Sequence, residues 1–272
     1  MKYQFKRSAR LLTTLVFASA PLAPAFAAAS AACVADSGNT RAALVELYTS
    51  EGCSSCPPAD KALIQLGGKS ASATRSSTRI VPLALHVDYW DSIGWKDPFA
   101  QPAFSRRQDW EVHANRHRTS FTPHFFVNGR EVQDWRGDLD ENLHADKGPA
   151  PARLKIRAEP KGGNSLHVVV DTSIAANREA GHDPLQLFIA VTESKLSSQV
   201  KAGENSGAKL DHDFVVRNWI GPIDVQGAGG SVDRVVDVPQ LSRGQVAVVA
   251  FLQDPRTAEV LQAVDTGVCK SS

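Results

Sequence analysis

Apolar positions follow two rhythms along this chain. Residues 42–49 and 80–87 are short runs that are apolar at nearly every position, the pattern of strands covered on both faces in a parallel sheet. Between them Pro57 and Pro58 precede residues 59–66, and proline is tolerated in a first helical turn, so a helix is predicted there, ended by Gly67 and Gly68. Residues 103–117 read as a polar amphipathic helix whose Arg106, Arg107, Arg116 and Arg118 form a solvated face balanced by Asp109 and Glu111. Asn128-Gly129, between strand-forming runs, predicts a hairpin. After a Pro/Ala/Gly linker at 147–151 the rhythm changes. Strand-like runs recur at 152–158, 165–171, 185–192, 213–220, 232–238 and 245–252 with turn residues between them and no helical stretch, the signature of an antiparallel sandwich. The expected fold is an α/β domain over 40–146 followed by a mostly antiparallel β-sandwich domain over 152–269.

The start of the chain has a different character. Lys2, Lys6, Arg7 and Arg10 precede the apolar stretch 11–20, which is too short to span a bilayer, and Ala25-Phe26-Ala27 offers a cleavage site. This predicts a signal peptide over 1–27 and export to the periplasm or the medium, without stable membrane insertion after cleavage. The whole chain has 30 basic and 29 acidic residues, a net charge of +1. Losing four basic residues and no acid leaves 26 against 29, or −3, which argues against nucleic acid as a partner.

An oxidising destination changes how the four cysteines read. Cys53 and Cys56 form a C-x-x-C between a strand end and a helix start, whereas Cys33 and Cys269 lie near the two ends of the exported chain. Four cysteines allow three pairings. If Cys53 pairs with Cys56, the other two staple the termini, which in the chain-entropy model contributes up to ~5 kcal/mol. At a helix start, backbone N–H groups and the macrodipole favour thiolate over thiol. Cys53, the more exposed of the pair, is then the attacking nucleophile, and Cys56, one turn in, resolves the mixed disulfide.

The element order, the C-x-x-C and the downstream Thr122-Pro123 resemble the thioredoxin fold. More narrowly, residues 46–60, 86–91 and 94–99, with Gly203-Glu204-Asn205 and Val215-Val216-Arg217, resemble a secreted, thioredoxin-like family known as domain of unknown function 1223. The resemblance implies a cis Pro123 facing the C-x-x-C, with the Thr122 backbone free to pair with an extended substrate. It supplies no substrate. The chain departs from expectation at His124, where a residue such as glutamine would follow the proline.

Beside a C-x-x-C, His124 can stabilise a thiolate, and His86 and Asp60 are further candidate modulators, Asp60 as a proton shuttle. The bland readings are a partly exposed loop histidine, a strand-end hydrogen bond and a helix-start acid. Tyr89, Trp90 and Trp95 form either a recognition rim or a cover for the sheet. Residues 201–207 read as a solvated hairpin tip. Three functions are open to this pattern. The leading one is cofactor-free thiol–disulfide exchange with protein or small-thiol substrates. The others are a copper- or zinc-binding module using the same cysteines with His124 or His86, and a redox-silent binding protein with a structural disulfide. Oligomeric state is not legible.

Overall fold

A computed structural model describes residue 1 and residues 32–71, 79–146, 148–162, 164–175, 184–238 and 245–268. The predicted leader beyond residue 1 lies outside them, as does Cys269, so the predicted Cys33–Cys269 staple is not described. The chain is mostly β. The first half runs β1 (Cys33–Asp36), β2 (Ala43–Thr49), α1 (Pro57–Ala71), β3 (Ile80–His86), a 3-10 turn at Asp91–Ile93, and α2 (Pro102–Ala114). It continues with β4 (His124–Val127), β5 (Arg130–Val132) and α3 (Trp135–His144). Beyond the linker come β6 (Ala152–Pro160), β7 (Ser165–Ile174), β8 (Leu185–Ser194), β9 (Leu196–Gln199) and β10 (Lys209–His212). The last four are β11 (Val215–Val225), β12 (Gly229–Asp237), β13 (Gln245–Gln253) and β14 (Val260–Asp265).

Strands from both halves join one mixed eight-stranded sheet, in the order β14-β13-β8-β11-β3-β2-β4-β5. β2 and β3 are parallel, and every position of both is buried, as their unbroken apolar runs predict. The halves meet where β11 pairs with β3 in parallel at Val215 and Ala84. On one face of β2 and β3, Val45 and Leu47 pack against Leu63 of α1 and Leu139 and Leu143 of α3. On the other, Leu44, Leu83 and Leu85 pack against Phe104 and Val112 of α2 and Phe251 of β13. A second, antiparallel sheet, β1-β6-β7-β12, lies over β8, β13 and β14, burying Leu154, Ile156, Val168 and Val170 against Leu187, Ile189, Val248 and Ala250. Here the period of two is plain: Ala152, Leu154, Ile156 and Ala158 are buried, while Arg153, Lys155 and Arg157 are exposed.

Local departures from expectation have local causes. α1 does not stop at Gly67 but runs through it to Ala71, and Gly67 makes room for Phe214: a Cβ there would lie 2.2 Å from Phe214 Cζ. α2 ends at Ala114, three residues short of the predicted end. Its expected solvated face is also partly wrong, since Arg107, Gln108 and Glu111 are buried. α3 is too polar to register as a helix in the sequence. Its only buried residues are Leu139 and Leu143, and its cap is Asp134, whose side chain accepts from Arg136 N–H at 3.1 Å. The predicted Asn128-Gly129 hairpin is present, with both residues at positive φ (49° and 80°) between β4 and β5.

Candidate functional site

Three strand ends bring the site together. Tyr48 at the end of β2 pairs with His124 at the start of β4, and Thr49 pairs with His86 at the end of β3. The chain leaves β2 through Ser50, Glu51 and Gly52, reaches Cys53, and enters α1 just after Cys56. Cys53 and Cys56 form a disulfide with Cα atoms 5.4 Å apart. Cys56 lies at the helix start, where its carbonyl accepts from Ala59 and Asp60 N–H. The Thr122-Pro123 peptide, which leads into β4 beside this junction, is cis.

Both cysteines have 0% exposure, which corrects the expectation that Cys53 is accessible. Two loops cover them. Trp90 packs against Gly52, and its indole Nε1–H donates to Thr122 Oγ1 at 2.7 Å, so this side chain spans from the C-x-x-C loop to the proline loop. From the second half, the tip between β9 and β10 reaches the same turn. Asn205 Nδ2 donates to the carbonyls of Glu51 and Cys53, both at 2.9 Å, and Glu204 Oε2 accepts from Ser54 N–H at 2.9 Å. That hydrogen bond holds the Glu204 carboxyl below the usual carboxylate range. The covering loops touch at Gly203 (φ 72°), where a Cβ would come within 3.2 Å of Trp95 Cβ. The tip is largely exposed, as predicted, but it also holds the C-x-x-C turn. Ser54 and Ser55 stay exposed, and the Ser55 hydroxyl lies 3.3 Å from Cys53 Sγ.

Behind the disulfide is a buried polar network. Glu51 accepts from Trp95 Nε1–H at 2.8 Å and meets His212 Nε2 at 2.9 Å, while its backbone N–H donates to Asp97 Oδ2 at 2.8 Å. The same Asp97 oxygen lies 2.7 Å from His86 Nδ1, and Asp97 Oδ1 accepts from Phe99 N–H. The His86 and His212 rings pack edge to face at 5.1 Å. Burial disfavours the His86 cation, but the Asp97 carboxylate beside it, with Asp60 and Glu51, outweighs that and raises its pKa. Burial likewise opposes the Asp97 anion, but His86 and the two backbone donors hold its pKa low. Asp60, one turn after Cys56, has its carboxyl pushed up by burial, with the neighbouring imidazoles pulling the other way.

The other predicted residues divide. His86 and Asp60 belong to this network. His124 is buried in β4, not on a loop; its ring stacks on Phe121 at 3.9 Å, Nε2 meets Glu131 Oε1 at 2.9 Å, and Nδ1 lies 3.2 Å from Gln108 Nε2. Burial pushes its pKa down, in keeping with a neutral ring held between a carboxylate and an amide. Both histidines thus face carboxylates, and among the described residues no group of three or more His, Cys, Asp or Glu is placed to hold a metal ion. Sequence reading missed Glu51, Asp97, His212, Glu204 and Asn205 as site residues. Glu51 had only its place two residues before Cys53 as a signal; His212 had none, since only the fold brings it to Glu51.

Fold and site together define a mostly β protein built on a mixed sheet, with a C-x-x-C disulfide sealed at a strand-to-helix junction. Residues 44–253 match the family described as a protein of unknown function, DUF1223, and the chain belongs to that family. Its fold is similar to the crystal structure of protein AGR_C_4864 from Agrobacterium tumefaciens, with a TM-score of 0.55 and 23% identity over 85% of this chain and 95% of that one. It is also similar to HBP35 of Porphyromonas gingivalis, with a TM-score of 0.60 and 14% identity over 86% of this chain and 77% of that one. No curated protein matches significantly. Among the described residues, no helix is long and apolar enough to cross a membrane.

Proposed function

We propose that the first half is a thioredoxin-like unit and that the protein is an exported thiol–disulfide oxidoreductase working through Cys53 and Cys56. The strand order β3-β2-β4-β5, with α1 and α3 on one face and α2 on the other, supports the first part. The observation that carries the second is a disulfide set at a helix start with a buried acid–imidazole network behind it. Paired cysteines fit an oxidising compartment, in line with the predicted leader.

The exchange balances without a cofactor. A substrate thiolate attacks Cys53 Sγ, the Cys53–Cys56 bond breaks, and Cys56 leaves as a thiolate that takes up a proton. A second substrate thiolate then attacks the substrate sulfur of the mixed disulfide; the substrate leaves as a disulfide, and Cys53 is released reduced. Asp60, one turn after Cys56 in the chain and with a raised pKa, is the acid we assign to supply or accept the Cys56 proton. The Thr122 backbone is suited to pair with an extended substrate.

One observation favours a second reading, in which the disulfide is a structural bridge: both cysteines are fully buried. Trapping separates the two. In Cys56→Ala the Cys53 thiolate attacks a partner disulfide, expels one partner sulfur as a thiolate and, with no Cys56 to resolve it, is expected to accumulate as a covalent mixed disulfide, which Cys53→Ser loses. An empty Cys56→Ala trap contradicts the exchange reading.

A further inference from the structure

The β9–β10 tip lies more than 140 residues along the chain from the C-x-x-C, yet three hydrogen bonds fix it to the backbone of that turn. Two of them, from Asn205 to the Glu51 and Cys53 carbonyls, only hold the loop in place. The third puts the Glu204 carboxylate on Ser54 N–H, one peptide unit from the Cys53 sulfur. Ser54 N–H lies in the turn three residues ahead of α1, and a Cys53 thiolate formed on reduction would draw on backbone donors beside it. Glu204 takes up the Ser54 amide first and adds a negative charge beside the place where the thiolate would form. The Ser55 hydroxyl, 3.3 Å from Cys53 Sγ, is placed to act the other way.

We propose that Glu204, presented by the Asn205-anchored tip, is a positioning residue that holds the Cys53–Cys56 pair toward its disulfide form by occupying the Ser54 amide and repelling the Cys53 thiolate. The proposal rests on the exchange reading. It gives the second half of the chain a part in the chemistry of the first. Glu51, Asp60, His86, Asp97 and His212 pack around the same turn and also set the local charge. They are unchanged when only residue 204 is altered, so a one-residue comparison isolates the Glu204 effect.

The test equilibrates the full chain and its Glu204→Gln variant with reduced and oxidised glutathione at pH 7 and low salt. Two glutathione thiols become one disulfide as the Cys53–Cys56 bond opens to two thiols. Glutamine keeps an oxygen for Ser54 N–H and removes only the charge, and the position is exposed, so the fold is retained. The variant's equilibrium constant toward the dithiol is expected to rise roughly three- to tenfold, the upper end corresponding to about 30 mV. The pH profile for alkylation of reduced Cys53 should move to lower pH. Added salt should narrow the difference between the two proteins, because the carboxylate faces water. Asn205→Ala, which keeps the charge but frees the loop, should shift the equilibrium in the same direction. Equal equilibrium constants and superimposable alkylation profiles for wild type and Glu204→Gln overturn this inference alone. A pair that glutathione reduces in neither protein overturns the exchange reading and this inference with it.

Discussion

Arg107 carries more consequence than its place on a polar-looking helix suggests. Its Nε meets Glu46 Oε1 at 2.6 Å and its Nη2 meets Glu46 Oε2 at 3.0 Å and Glu111 Oε1 at 3.3 Å, with Gln253 Oε1 3.3 Å from both terminal nitrogens. The guanidinium lies 4.8 Å from the Phe188 ring, 4.9 Å from Trp219 and 5.0 Å from Phe251. Removing one member of so buried a set strands the others, so Arg107→Ala should cost about 3–5 kcal/mol in chemical denaturation. Glu111 differs. Burial and the nearby Glu46 charge push its pKa well up, and Tyr48 O–H donates to its second oxygen at 2.8 Å. A carboxyl whose folded pKa exceeds its unfolded value contributes stability that is full below the ordinary carboxylate range and is lost as pH rises through the folded value. Glu111→Gln, a mimic of the protonated acid, should therefore change stability little at low pH and flatten its decline with rising pH, as read from melting temperature against pH. None of this was legible in the sequence. The charge pattern of residues 103–117 fits a solvated face equally well, and only the packing of β8, β11 and β13 over α2 dries it.

At the scale of elements, apolar rhythm with its turn residues was the guide: it located β2, β3, α1, the β4–β5 hairpin and β6, β7, β8, β11, β12 and β13, and it missed β1, β9, β10 and β14. It failed where a residue's role was to make space. Gly67 reads as a helix stop, yet it is an interior position left empty for Phe214. Gly67→Ala should accordingly destabilise the protein by roughly 1–3 kcal/mol through overpacking, although alanine gains about 1 kcal/mol over glycine in a helix interior. A stabilised variant in denaturant titration would show that the Phe214 contact is not tight. The same limit applied to the β9–β10 tip. Polar and glycine-rich, it reads as solvated, and only the pairing of β11 with β3 carries it onto the C-x-x-C turn.

The whole molecule is joined across the predicted linker. The eight-stranded sheet draws strands from both sides of residues 147–151, and the Arg107 cluster ties β2 and α2 to β13. The Asn205 and Glu204 bonds tie β9–β10 to the disulfide. That Cys53 and Cys56 pair at the strand-to-helix junction was legible from spacing and position. Their burial was not, because the parts that cover them, Trp90 and the 203–205 tip, lie far away in sequence. The central claim is that this sealed disulfide exchanges with thiols. The direct measurement is a glutathione redox titration of the full chain, with the Cys53 and Cys56 peptides quantified by differential alkylation and mass spectrometry. The account predicts a midpoint well above about −300 mV. A pair that stays fully oxidised in millimolar reduced glutathione would contradict it.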